Sequence, residues 1–394
     1  MWPSMTFETC TWKRDPDELA FVSKSRRRKI LSTYEAAVPV SIADLEIELG
    51  PALSRRFAEA EVLMARFDQA QEARGYSLPA LILRSESSSS SQIERLTSSA
   101  RNVALAELSE KAPSNARLIA GNIAAMREAL AQQGALDVES ICAVHDILMK
   151  GTGEVCGLRE EQVWIGGTPY SPHGATFVPP HPSRLRGCLD DLMRFSQRED
   201  ISPLAKAAVF HAQFETIHPF TDGNGRTGRA LMHRMLAHDE ALMHAVLPIS
   251  AGLLHDVDTY VRALDAYHEG RIEPVVACLA DAVELAVVLG TRIASDADAV
   301  LAAWHVANGD RSDSASHRLP ALLVEQPVVN TAYVARRLGV SDRTARTLVG
   351  EACDRGILDK MGNARRGAYY QATDLIDILE AASSVQGIRR MAAR

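Results

Sequence analysis

Residues 218–229 read His218-Pro219-Phe220-Thr221-Asp222-Gly223-Asn224-Gly225-Arg226-Thr227-Gly228-Arg229, a block whose residue types and spacing suit phosphate chemistry. His218, with an ordinary pKa near ~6.5, fits a base that takes a proton from a hydroxyl nucleophile. Asp222 offers a hard carboxylate oxygen of the kind that holds Mg2+ between phosphates. Gly223 and Gly225 permit positive φ and carry no side chains, so successive backbone N–H groups can turn toward one anion. Arg226 and Arg229 stand three residues apart, hence on one helix face, and aim two guanidinium forks at a polyphosphate. A lone His-Pro is ordinarily a loop and a lone G-N-G a turn. Their conjunction in one short block reads as a site for phosphoryl or nucleotidyl transfer.

The flanking elements must hold this block in place. Ahead of it, Ser202-Pro203 supplies a cap and an N1 proline, and LAKAAVFHAQFETI is apolar on most of its circumference, which predicts a buried helix. Pro219 cannot continue that helix, and its ring disfavours helical geometry at His218. The histidine is therefore expected at a helix end, facing a cleft. A second helix is expected from near Arg226, its N-terminal dipole adding partial positive charge at the glycine loop.

At 394 residues the chain exceeds one compact core, so two or three domains are expected. Hydrophobic residues at 46% and charged residues at 24% are ordinary for a folded cytosolic protein. A net charge of -7 gives no general attraction to nucleic acid or anionic membranes, so a DNA-binding reading must rest on one region. Six cysteines without a C-x-x-C pair read as free thiols of a reducing compartment. The N-terminus lacks the apolar stretch of a signal peptide, and no later run is read as long enough to span a membrane. The expectation is a cytoplasmic protein with no membrane partner. The basic cluster Lys24 to Lys29 reads first as a solvated helix start, with a targeting or phosphate-binding patch as the alternative.

Periodicity predicts helix from about Tyr34 to Leu96, with Leu45, Leu49, Leu53, Phe57 and Ala60 on one face. The serine tract Ser87 to Ser91 within it is, by composition, more often a linker. From Leu108 to Val287 helical segments dominate around one short β-like passage, and the polar run GDRSDSASH places a linker between Asp296 and Leu319.

The 218–229 block resembles the HPFx(D/E)GNGRxxR signature of the Fic (Fido) family and matches it at every defined position. The resemblance implies a mainly α fold: a Fic/Fido helical core with a small β-hairpin flap. It further implies that His218 activates the hydroxyl of a target protein and Asp222 holds Mg2+, while Gly223, Asn224, Gly225, Arg226 and Arg229 hold the phosphates of ATP. The hydroxyl attacks the α-phosphate and pyrophosphate leaves, so AMP passes to a Ser, Thr or Tyr. Gly157-Leu158-Arg159 followed by Gln162-Val163-Trp164-Ile165-Gly166-Gly167 is similar to the family's flap, and Ala175 to Pro182 to its returning strand. A flap edge can register an extended target segment by strand addition.

Ser90 and Glu94 resemble the family's inhibitory helix, (S/T)xxxE(G/N), which implies a Glu94–Arg229 pair that keeps ATP from its productive pose. Arg95 stands where that motif has Gly or Asn. In some relatives the same glutamate supports AMP removal, and the direction is open. Thr259 to Leu264 resembles the helix that closes the base pocket, with Tyr260 as a nucleotide-binding residue and Tyr267 as a second stacking surface. Val261 and Val275 replace aromatic residues frequent there, which keeps other nucleotides open as donors.

Residues 319–380 read as three helices and a hairpin, similar to a winged helix-turn-helix, with Ser341 capping the third helix. Arg343 and Arg346 on that helix, and Lys360, Arg365 and Arg366 in the wing, suit DNA phosphates; a protein-interaction or dimerisation role is the equal alternative. The expected organisation is an N-terminal helical region 1–106 with the inhibitory segment near 85–96, a catalytic core 107–290, a helix end and linker 291–318, the winged helix 319–380 and a tail 381–394. The expected partners are ATP, a hydroxyl-bearing protein, a second copy in a homodimer, and DNA through the winged helix. Two rival readings are a DNA-binding regulator whose core only senses nucleotide, and a Fic enzyme that uses another nucleotide or removes AMP.

Overall fold

The computed structural model describes residues 2–13, 20, 22–72, 74, 76–153, 156–308, 315–364 and 367–393. The chain opens with an antiparallel pair, β1 (Thr6–Thr11) and β2 (Thr33–Val38), in register from Thr6↔Val38 to Thr11↔Thr33. Between them α1 (Lys24–Arg27) is a short exposed helix, as the basic cluster suggested. β2 corrects the expected helix from Tyr34: Tyr34 and Ala36 alternate inward while Thr33 and Glu35 face out, the period of a half-buried strand. Helix begins only at Pro51, so Leu45 and Leu49 pack from irregular chain, and Leu53, Phe57 and Ala60 alone share the helical face.

The body of the molecule is helical: α2 (Pro51–Glu72), α3 (Leu78–Ile93), α4 (Ala100–Ala106), α5 (Ser114–Ala131), α6 (Val138–Met149), α7 (Leu185–Ser196), α8 (Pro203–Ile217), α9 (Asn224–His238), α10 (Ile249–His255), α11 (Val257–His268) and α12 (Glu273–Asn308). α8 is the central member, buried around nearly its whole circumference, as its apolar composition requires. α12 is long and apolar enough to cross a membrane by length and composition, which corrects the reading that no run reaches that length. Half of its apolar window is buried in the protein, against α2, α8, α10 and α11. It also runs on to residue 308, into the expected linker; of the polar run, residues 309–314 lie outside the described ones. All six cysteines are free thiols.

The serine tract is no linker. Ser85, Ser87, Ser89, Ser90 and Ser91 are buried within α3, where small side chains let neighbouring elements approach closely. Serine is a mediocre helix former, and tertiary packing overrides that weak preference here.

The C-terminal module comprises α13 (Ala315–Glu325), β3 (Val328–Asn330), α14 (Thr331–Leu338), α15 (Asp342–Asp354), β4 (Asp359–Met361), β5 (Tyr369–Gln371), α16 (Thr373–Ser383) and α17 (Val385–Ala392). Its sheet is antiparallel in the order β3-β5-β4. Asn330 caps α14, Gly339 in the left-handed region ends it, and the Ser341 hydroxyl accepts from the Thr344 N–H at 3.1 Å to start α15. The expected tail is helical instead: Ile388 of α17 is buried against Ala251, Leu254 and Leu289 of α10 and α12. The module packs on α3 and α4, where the Ser85 hydroxyl donates to the Ala382 carbonyl at 3.0 Å and Gln326 bridges Arg84 and the Ala104 carbonyl.

The Ser89 hydroxyl is buried without a hydrogen-bond partner among the described residues, a group whose desolvation is uncompensated. Ser89→Ala is expected to raise stability by about 1 kcal/mol, read as a higher thermal unfolding midpoint. Ser89→Leu is expected to lower it by about 1–3 kcal/mol through overpacking.

Candidate functional site

The site forms where α8 ends and α9 begins. His218 terminates α8 in the left-handed region (φ 49°, ψ 60°), its N–H still bonded to the Phe214 carbonyl at 2.9 Å. Such a conformation is uncommon outside glycine and is held only when surroundings impose it. The imposing group is Arg159, a buried guanidinium that donates to the His218 carbonyl at 2.8 Å, to Pro180 at 2.6 Å and to Glu161 at 3.1 Å. The His218 Nδ1 faces the Glu215 carbonyl at 3.3 Å, which requires Nδ1–H and leaves the Nε2 lone pair as the ring's proton acceptor. Burial pushes the imidazole down to about 4, so it is neutral at neutral pH and a weaker base than its ordinary value near ~6.5 suggested.

The loop beyond is pinned from inside. The Asn224 side chain accepts from the Phe220 N–H and donates to the Phe220 carbonyl, both at 2.9 Å, so its amide holds the turn and only its main chain is left for a phosphate. His145 stacks on Phe220 with centroids 3.7 Å apart and its Nε2 faces the Asp222 carbonyl at 3.1 Å. Gly223 sits at φ 74° as the residue before α9, which starts at Asn224, two residues earlier than expected. The Asp222 carboxylate is 59% exposed at the loop tip and accepts from Arg226 at 3.1 Å. An exposed carboxylate beside this glycine loop would fit Mg2+, which takes one or two protein carboxylates and the rest of its octahedron from phosphates and water.

Arg226 and Arg229 do share one face, and both are buried, Arg229 to 1% exposure. Their donors are engaged by the end of α3. Glu94 accepts from Arg229 Nη2 at 2.8 Å through Oε1 and from Arg226 Nε at 2.5 Å through Oε2, so it spans both arginines rather than Arg229 alone. Ser90 accepts from Arg229 through its hydroxyl at 2.8 Å and its carbonyl at 2.9 Å. Gly225 makes room for this: a Cβ there would lie 2.5 Å from Glu94 Oε1 and 2.8 Å from Arg229 Nη1.

The flap residues meet their returning strand at one bridge, Ile165↔Phe177, with Ile165 N–H on the Phe177 carbonyl and Thr176 N–H on the Ile165 carbonyl, both at 2.8 Å. Gly166 and Gly167 both have positive φ and lie too close to Thr176 and Ala175 for any Cβ. Trp164 packs edge-on against Trp12, which packs on Tyr34, so the N-terminal pair buttresses the flap; that support was hidden by the helical reading. Ile165 remains exposed at the edge.

Tyr260 is placed differently from expectation. Its hydroxyl meets His211 Nε2 at 2.7 Å, and it lines, with Val275 and Cys278, a cavity of only about 20 Å3. That volume suits one water and no nucleobase. Tyr267 is likewise buried, donating to Gln213 at 2.8 Å, whereas Val261 is 49% exposed. Arg343 and Arg346 are exposed on α15, remote from this site in the chain; Arg365 and Arg366 lie outside the described residues. Glu215 and His145 had no assigned role from sequence, and Arg159 entered only as part of the flap resemblance. Glu215 carried a signal of its own, since three residues before His218 it shares that histidine's helix face.

With this geometry in view, the comparisons with known proteins converge. Residues 135–236 match the Fic/DOC family model. The Fic/DOC segment thus holds His145, the flap, α8 and all but the last two residues of α9. A Fic family protein from Desulfovibrio desulfuricans G20 shares the fold, with a TM-score of 0.55 at 21% identity over 83% of this chain and 97% of that one. The protein adenylyltransferase Fic of Drosophila erecta is 31% identical over 160 residues, 39% of this chain and 29% of its own length. A probable protein adenylyltransferase of Aquifex aeolicus is 31% identical over 130 residues, 33% of this chain and 36% of its own. The chain therefore spans about a third of the length of these relatives.

Arg95, the departure from the inhibitory motif, has a structural consequence. It adopts φ 64°, with its N–H on the Gln92 carbonyl at 2.9 Å and the Leu96 N–H on the Ser91 carbonyl at 3.0 Å, a Schellman end that glycine favours. A non-glycine residue there costs about 1 kcal/mol. Arg95→Gly is expected to return that amount as a higher unfolding midpoint; an unchanged midpoint would mean the Arg95 side chain makes up the strain through its own contacts.

Proposed function

We propose that this protein transfers AMP from ATP to a hydroxyl of a protein and that Glu94 restrains the reaction. The observation that carries the reading is the pairing of a His218 whose Nδ1–H faces a carbonyl, leaving Nε2 as proton acceptor, with two buried arginines that share the Glu94 carboxylate. In the proposed reaction His218 Nε2 takes the proton of the target hydroxyl as its oxygen bonds to the α-phosphorus. The bond from that phosphorus to the bridging oxygen breaks and pyrophosphate leaves. Arg226 and Arg229 hold the β- and γ-phosphates and neutralise their charge. Asp222 would hold Mg2+, which when bound supplies further charge neutralisation between phosphates. Support for AMP as the transferred group comes from the relatives' names and the intact 218–229 block. The base pocket would have to open beyond its present volume, around Tyr260 and Val275.

Glu94 stands where a polyphosphate's charge would have to sit, so the two exclude each other. With Mg2+ and ATP labelled at the α-phosphate, Glu94→Gly is expected to incorporate AMP at least about 10-fold faster than the wild type, and His218→Ala to incorporate none. Intact mass reads the result. Equal incorporation by wild type and Glu94→Gly removes the restraint, and no incorporation from any nucleotide with candidate targets supplied removes the reaction.

We further propose that the C-terminal module is a winged helix that contacts DNA. Two exposed arginines, Arg343 and Arg346, on the first turns of α15 favour it, since recognition helices present their N-terminal residues to the groove. Affinity for duplex DNA is expected to fall steeply with salt, and Arg343→Ala with Arg346→Ala to shrink the log–log slope by about 2. A slope unchanged by the double substitution assigns the module to protein contacts instead.

A further inference from the structure

We propose that Glu215 is the carboxylate partner of His218, a positioning residue whose ionisation sets how strong a base His218 is. The inference rests on reading His218 as the base, and on nothing else in the proposed reaction. Glu215 occupies the last turn of α8, three residues before His218. Its main-chain oxygen accepts from His218 Nδ1 at a long 3.3 Å, while its carboxylate Oε2 lies 3.9 Å from the same nitrogen. The other oxygen, Oε1, is buried with no hydrogen-bond partner among the described residues. It lies 3.9 Å from His211 Nε2, which is already engaged by the Tyr260 hydroxyl. A buried carboxylate oxygen with no donor is costly, and the neighbouring donor within reach of a small side-chain rotation is His218 Nδ1–H. A carboxylate on Nδ1–H fixes the imidazole tautomer and raises the basicity of Nε2, the relation found where a histidine is oriented by an acidic partner.

The charged and titratable groups facing Glu215 are His211 and His218 from α8, Arg229 from α9, Glu94 from the end of α3 and Tyr260 from α11. Burial pushes the Glu215 carboxyl up to about 7; Arg229 opposes the rise and Glu94 adds to it. Burial holds His218 down to about 4. Below neutral pH, Glu215 is a neutral acid and His218 is a weak base. As pH rises through about 7 the carboxylate appears beside Nδ1 and His218 strengthens, so the transfer rate rises on that limb. Near that pH one proton belongs to the pair rather than to either residue. Removal of the Glu94 charge leaves Arg229 to favour the carboxylate, so the limb moves to lower pH in Glu94→Gly.

The test uses the 394-residue chain with isotope-labelled histidine rings and no nucleotide. The His218 ring signals, assigned by their loss in His218→Asn, are expected to show a titration step near pH ~7 in the wild type. The step is absent in Glu215→Gln and kept at a displaced midpoint in Glu215→Asp. Glutamine is isosteric with the protonated acid, and the aspartate restores the charge if packing is at issue. A wild type without the step, or a Gln variant that keeps it, overturns the pairing. In the Glu94→Gly background, Glu215→Gln is expected to lower kcat about 10- to 100-fold with little change in KM and to flatten the limb. A steeper limb in the Gln variant also overturns the pairing. If no nucleotide is transferred by any variant while the ring step still depends on Glu215, the proposed reaction fails and the pairing stands.

Discussion

Two guanidinium groups buried on the opening turns of one helix require an anion, and the rest of the molecule is arranged around that requirement. Arg226 and Arg229 are removed from water almost completely, and each would carry a desolvation cost of several kcal/mol without a partner. Glu94 supplies one negative charge to both, Ser90 fills two further donor positions on Arg229, and Asp222 takes one on Arg226. The space that admits Glu94 exists because residue 225 has no side chain. Any polyphosphate seated on these arginines would substitute for Glu94 in the same place and the same electrostatic role. On the proposed reading the site would be balanced between an internal anion and an external one, with the difference in their affinities setting occupancy.

That balance depends on how α3 is held. Residues 86, 90 and 94 recur every four positions and form one polar face against α9. Glu86, fully buried, receives the Ser250 N–H at 2.7 Å and meets His233 Nε2 at 3.1 Å. Elsewhere α3 is held by the C-terminal module through Ser85 to Ala382 and Arg84 to Gln326, and by the end of α4 through Arg84 to Glu107. The middle and the end of the helix differ. Glu86, at mid-helix, is locked by a satisfied buried network, whereas the Glu94 end finishes in a left-handed Arg95 that strains the last turn. On the proposed reading, withdrawal of Glu94 would need only the last turn to unwind, leaving the remaining helix and its contacts with the module in place.

The parts of this architecture that were legible in the sequence are those set by local chemistry. A proline after His218 forces a helix end, glycines mark the loop, and Asn330, Gly339 and Ser341 punctuate the C-terminal helices where side chains and backbone meet within a few residues. What was not legible is set across long separations. The serines of α3 have the composition of a linker and become helix only because α5, α9, α10 and α16 close around them. β2 was read as helix because the periodicity of Leu45, Leu49, Leu53, Phe57 and Ala60 was extended back to Tyr34, and only pairing with β1 reveals the strand. Tyr260 was expected beside a base because of its place in a motif. The nearby His211, 49 residues away in sequence, instead holds its hydroxyl inside the core.

The position of His218, the proposed base, and the position of the Ile165 hairpin are not independent. Arg159 donates to His218 and to Pro180 from one guanidinium, and its own N–H bonds the Pro219 carbonyl at 3.0 Å. Burial brings that guanidinium down to about 10, still protonated at neutral pH, so its donors remain available. His218 is held in a strained conformation whose cost must be met by such contacts, and the same contacts fix the strand that pairs with Ile165. A target segment aligned along the Ile165 edge would therefore be referred to the His218 ring through a single rigid side chain. Alignment of a hydroxyl with its base to within a fraction of an ångström needs a shared support of this kind, since an unlinked loop would lose the orientation that makes proton transfer efficient.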